Sequence, residues 1–110
     1  MSGTFQGRLA YASCAVSAAG GGSVTYTSQS GDFLSAAYTA AGQYTLTLAS
    51  PIDPNEAVYQ VTCRAASLKV RSATITGATA TTIDIEVNDE SPAPSDPDAF
   101  DISIVVKPAN

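Results

Sequence analysis

The carboxylates of this chain crowd into one stretch, "NDESPAPSDPDAF" (residues 88 to 100), which holds four of the ten. Asp89, Glu90, Asp96 and Asp98 so close together raise the question of calcium, a cation that takes about six to eight oxygen ligands. An EF-hand loop sets its oxygens at alternate positions around a glycine. Here "SPAPS" splits the acids and no glycine occurs, so that motif is excluded and calcium in another geometry stays open. Asp84 and Glu86 form a second acidic pair, placed by a strand on one face about 7 Å apart. Paired carboxylates hydrolyse glycosides, but the chain has no tryptophan and suggests no cleft, so solvated sheet-face charge is the better account. "GGG" at 20 to 22 lacks the spacing of a phosphate or dinucleotide loop. There is no histidine, which removes the usual general base, the common zinc ligand and the imidazole that would activate a thiol. Cys14 and Cys63 are 49 positions apart, whereas zinc knuckles and redox pairs need close spacing. They read as two buried, reduced thiols, with a disulfide between two sheets as the alternative. No catalytic residue, metal ligand or cofactor is expected, and no enzymatic activity.

The elements that would carry these residues are strands. In "TTIDIEVN", Ile83, Ile85 and Val87 face one way and Asp84, Glu86 and Asn88 the other. "AFDISIVVK", "QYTLTLA" and "VYQVTCRA" alternate in the same fashion, and strict period-two alternation means one buried and one wet face, as in antiparallel sheets. Weaker strands are predicted over residues 7 to 17, 23 to 28, 33 to 39 and 67 to 75. Turns are predicted at 18 to 23, 29 to 32, 40 to 42, 50 to 56 and 76 to 79. Short strands at such spacing indicate an all-β antiparallel sandwich. "LSAAYTAAG" is read as a strand turning at Gly42, because an isolated helix of that length is marginal. The acidic stretch becomes a loop joining two adjacent strands, stiffened by Pro92, Pro94 and Pro97 and held extended into water by charge repulsion.

Residues 1–110 suffice for one domain with a modest, alanine-rich core, which makes oligomerisation a reasonable expectation. Five basic residues against ten acidic ones are too few for nucleic-acid binding by counterion release or for a polybasic membrane anchor. No apolar run approaches the ~20 residues that span a bilayer. The start, "MSGTFQGRLAYASC", lacks a basic region followed by a signal-like apolar stretch. No secretion signal is expected. Twelve threonines and thirteen serines fill many outward positions, a polar but weakly charged surface that suits burial against identical copies.

Three segments carry a family resemblance: "AAGQYTLTLASPI", "AVYQVTC" and "TTIDIEVND…SDPDAFDISIVV". They combine a glycine turn at Gly42 into Tyr44, Leu46 and Leu48, a strand with Tyr59 and Val61, and Asp96, Pro97 and Phe100 after an acidic loop. Over residues 40 to 107 the chain resembles the small β-sandwich knobs and decoration proteins of tailed bacteriophages. The resemblance implies a jelly-roll-like sandwich similar to C1q and tumour-necrosis-factor heads, a homotrimer, and no catalytic residues. It also implies a place in the virion, as capsid decoration, head fibre or tail knob, after synthesis in the host cytoplasm. Other virion proteins and a host-surface receptor would be its partners. The chain begins directly before its first strand, which favours a separate decoration, head-fibre or knob protein over the tip of a long fibre. The alternative is a carbohydrate- or ligand-binding module of a bacterial protein, in which five tyrosines would stand in for the missing tryptophan.

Overall fold

The computed structural model describes residues 9–16, 23–64, 71–91, 93–95 and 97–106. Within them run eight strands: β1 (Leu9–Val16), β2 (Val24–Gln29), β3 (Phe33–Ala40), β4 (Gln43–Leu48), β5 (Ala57–Arg64), β6 (Arg71–Ala78), β7 (Thr82–Asp89) and β8 (Ala99–Val106). They form two four-stranded antiparallel sheets, ordered β2-β1-β8-β5 (sheet A) and β3-β4-β7-β6 (sheet B). The edges β2 and β3 meet on one side of the sandwich, and β5 and β6 on the other. The all-β antiparallel sandwich is therefore the fold. Three links, β1–β2, β3–β4 and β6–β7, are hairpins within one sheet, and the other four cross between sheets.

Alternation places the core. Tyr44, Leu46 and Leu48 of β4 and Ile83, Ile85 and Val87 of β7 point inward from sheet B. Phe100, Ile102, Ile104 and Val106 of β8 meet them from sheet A, and the Tyr44 and Phe100 rings pack with centroids 5.0 Å apart. β1 contributes Ala10, Ala12 and Cys14 in register with Ile104, Ile102 and Phe100, so small residues neighbour large ones on one inner face. The outer strands β5 and β6 turn inward only partly buried side chains, among them Tyr59, Val61, Cys63, Ala73 and Ile75.

"LSAAYTAAG" is strand β3, turning at Gly42 (φ 69°) into β4. Asp53 caps a single 3-10 turn at Pro54–Glu56 by accepting from the Asn55 amide at 2.9 Å. The turn predicted at 76 to 79 lies later. β6 runs on through Ala78, and the Thr79 hydroxyl accepts from the Thr82 amide at 3.0 Å to form the bend. Gly77 serves the sheet instead, since a Cβ there would come 3.1 Å from Asp84 Oδ2 on the neighbouring strand. The turn at 18 to 23, except Ser23, and the start of the strand predicted at 67 to 75 fall outside the described residues.

Two expectations about the acidic stretch are corrected. It does not join adjacent strands. β7 pairs with β4 and β6, β8 pairs with β1 and β5, and the stretch crosses from one sheet to the other. This accounts for its length, since hairpin loops run about 2–5 residues. Nor is it held extended: Glu90, Ser91, Ala93, Pro94 and Asp98 are exposed, but hydrogen bonds among the described residues fold its backbone back onto the sandwich. Asp89 Oδ1 accepts from the Ser91 amide (2.9 Å), the Ser91 hydroxyl (2.8 Å) and the Ala93 amide (3.1 Å). The Asp89 amide donates to the Ala93 carbonyl, and the Ser95 amide to the Val87 carbonyl, both at 2.9 Å. Pro97 is buried. At the far end, Asp98 donates its amide to the Arg64 carbonyl and accepts from the Val16 amide, stitching β5 and β1 together.

Candidate interaction surface

The described residues singled out for chemistry do not converge on one place. Asp89 spends its carboxylate on the local turn, whose hydrogen bonds (the Ser91 hydroxyl first, then the Ala93 and Ser91 amides) hold it below the usual carboxylate range. Glu90 beside it and Asp98 at the far end of the stretch are exposed, and Asp96 lies outside the described residues. Among the described residues no three Asp, Glu, Cys or His side chains gather closely enough to hold a metal.

Asp84 and Glu86 stand on the outer face of sheet B. Thr45, directly across from Asp84, donates its hydroxyl to Asp84 Oδ1 at 2.8 Å. Glu86 lies between Gln43 and Thr74 in register. Around them is an open depression lined by Thr39, Gln43, Thr45 and Thr76. The threonine-rich face is thus also an acidic face. Two copies meeting through it would bring carboxylates together.

Cys14 and Cys63 are both free, and both face inward from sheet A. Each is in register with Phe100, one on either flank of β8, so two strand spacings, roughly 9.6 Å, separate them. A disulfide needs Cα atoms within about 7 Å, and these cysteines are not on facing sheets, so the inter-sheet disulfide is ruled out. Burial, reinforced by the Asp101 charge, pushes the Cys14 thiol up to about 12. Burial also raises Cys63, against the opposing pull of Arg71. A raised thiol is a poor nucleophile at neutral pH. The Tyr59 hydroxyl is buried with no hydrogen-bond partner among the described residues.

What sequence reading missed is the outer face of sheet A. Leu9, Val105 and Val58 are in register across β1, β8 and β5, forming an apolar row whose members are 58%, 51% and 62% exposed. Tyr11, 47% exposed, lies in the next row with Ser103 and Gln60. The only charges on the outward positions of these three strands are Arg64 and Asp101, which pair at 3.4 Å. Val58 and Val105 also line a shallow recess with Asn55, Glu56 and Ala57. The signal was present: in "AVYQV" and "SIVVK" one valine falls on the outward phase of an otherwise polar alternation. A face that is apolar in one row and whose strand charges pair with each other can be covered by a partner at little desolvation cost. Comparisons of the chain with protein-family models, with curated proteins and with solved structures find no match.

Proposed function

We propose that this chain is a non-enzymatic structural protein of a tailed-phage virion, a capsid decoration, head-fibre or knob component that works by self-association and attachment. The observation that carries this reading is the apolar row Leu9–Val105–Val58 on a face where, among the described residues, Arg64 and Asp101 pair with each other. Such a surface is suited to lasting contact with another protein. The acidic, threonine-lined face of sheet B points the other way and suits exposure to water. The phage setting rests on the resemblance of residues 40 to 107 to virion knobs. The test is immunogold electron microscopy with antibody raised against the recombinant chain. Label on capsid, collar or tail tip of purified particles supports the reading, and label confined to the soluble cell fraction overturns it.

A further inference from the structure

We propose that β5 is an assembly edge, which pairs antiparallel with β5 of a second copy and merges two sheets A into one eight-stranded sheet. This rests on the self-association part of the reading above and names its interface.

The sandwich has four sheet edges, and three are irregular. The β1–β2 ladder shifts register at Ser13/Cys14. The β3–β4 ladder shifts twice, and β6–β7 shifts at Ile75/Gly77. Bulges of this kind, like edge prolines and charges, keep sheet edges from pairing with other chains. β5 has neither a bulge nor a proline along its length. It keeps an unbroken register with β8 from Ala57 to Arg64, contains no proline, and carries charge only at Arg64. Among the described residues no strand pairs with its outer side. The Arg64 carbonyl points to the β8 side, where it accepts from Asp98. Alternation then directs the backbone groups of Ala57, Tyr59, Val61 and Cys63 to the open side.

The strand is self-complementary in one register. With Gln60 opposite Gln60 of the second copy, inward Tyr59 meets Val61 and inward Cys63 meets Ala57. Their half-buried side chains would become covered. Outward, Val58 meets Thr62. Arg64, still beside Asp101 at 3.4 Å, also meets Glu56, the last residue of the 3-10 turn before the strand, and two-fold symmetry makes that opposite-charge contact twice. This charge match argues for a second copy as the occupant rather than an unrelated strand. A two-fold dimer follows, in place of the trimer that the family resemblance implies.

The test is sedimentation and light scattering of the full chain across micromolar concentrations, with charge-swap variants. The expected mass is about twice 11.2 kDa. Arg64→Glu and Glu56→Arg should each weaken dimerisation by roughly tenfold or more, because like charges would then face each other. The double variant Glu56→Arg/Arg64→Glu should restore it to within a few-fold. The three variants change exposed residues only, Arg64→Glu also losing the exposed pair with Asp101, and a circular dichroism melt checks that each monomer stays folded. A trimer, or any oligomer indifferent to both single swaps, overturns β5 pairing while self-association stands. A monomer throughout overturns both, leaving attachment to the particle to be judged by the microscopy.

Discussion

Replacing Gly42 with alanine should be far more damaging than replacing Gly31, although both glycines have positive φ. Gly42 (φ 69°) makes the β3–β4 turn, and Gly31 (φ 93°) lies in the link from β2 to β3. For any residue with a Cβ, the left-handed conformation costs roughly 1–2 kcal/mol, and this term is common to both sites. Their surroundings differ. A Cβ at Gly31 meets nothing within 4 Å. At Gly42 it would fall inside contact distance of the Val87 carbonyl oxygen, 2.6 Å from the Ser95 nitrogen and 3.1 Å from the Pro94 carbonyl carbon. These are backbone atoms, which cannot swing aside as a side chain would. The Val87 carbonyl also receives the Ser95 amide, and the Val87 amide donates to the Gly42 carbonyl at 2.7 Å. Making room for the methyl therefore displaces the crossing segment from β7.

Overpacking of this kind costs about 1–3 kcal/mol, which puts Gly42→Ala at about 2–5 kcal/mol and Gly31→Ala at about 1–2 kcal/mol. Against a total stability of about 5–15 kcal/mol the first is a large fraction. Urea unfolding followed by far-ultraviolet circular dichroism measures both. Gly42→Asn refines the test, because asparagine tolerates positive φ but still brings a Cβ, and it should recover only part of the loss. Equal destabilisation by Gly42→Ala and Gly31→Ala would refute the packing argument and return the 88–100 stretch to a loop free in water.

Further outcomes follow from the same contacts. Ile85, 1% exposed at the centre of β7, should not tolerate aspartate: an unpaired buried charge costs several kcal/mol, and a melt at the wild-type temperature would show this face to be unburied. The Asp89 carboxyl is held below its ordinary 3.8 in the folded state, so its stabilising effect is present above that value and lost as pH falls through the folded one. Asp89→Asn should accordingly flatten the acid limb of stability below about pH 5, and an unchanged acid limb would count against the turn. With Ellman's reagent near pH 8, half-buried Cys63 should react first and Cys14 only as the protein opens; two thiols reacting at the same fast rate would contradict the burial of Cys14. Tyr59→Phe should raise stability by about 1 kcal/mol, since it removes a buried hydroxyl that lacks a partner among the described residues, and a lowered melting temperature would reveal a partner for it.

Strand identity was legible wherever one face is dry. β4, β7 and β8 alternate without exception through the core, and the sequence pattern found Ile83, Ile85, Val87, Phe100, Ile102 and Ile104 as core residues. Alternation does not report which strand lies beside which. Tyr59, Val61 and Cys63 repeat as regularly as the β7 isoleucines, yet β5 is a half-covered edge and β7 a central strand. The same blindness made β7 and β8 neighbours in one sheet, when they lie in opposite sheets and face each other across the core. Loop length held the contrary signal, because residues 90–98 are more than a hairpin needs. At Gly77 a turn signal misled, since the absent Cβ makes room for Asp84. Carboxylate repulsion was overweighted in the acidic stretch, where Asp89 instead organises its own turn.

The β5 edge and the apolar row on sheet A bear on each other. The row of Leu9, Val105 and Val58 with Tyr11 beside it is a modest patch, of the size that many monomers show, and alone it would hold a partner weakly. Pairing through β5 would place two such rows on one continuous face. Val58 of each copy would stand opposite Thr62 of the other, four residues from the neighbouring Val58, or about 13 Å along the strand direction. A partner offering two matching sites would then be held at both, and linked contacts of this kind strengthen binding by about 10²–10⁴-fold without any new type of interaction. Attachment should therefore fail when dimerisation fails, even if Leu9, Val58 and Val105 are untouched. Arg64→Glu separates the two effects, because it lies outside the apolar row yet should weaken particle binding in step with dimerisation. Binding that survives in a demonstrably monomeric Arg64→Glu protein would show that a single row suffices and that the edge serves another purpose.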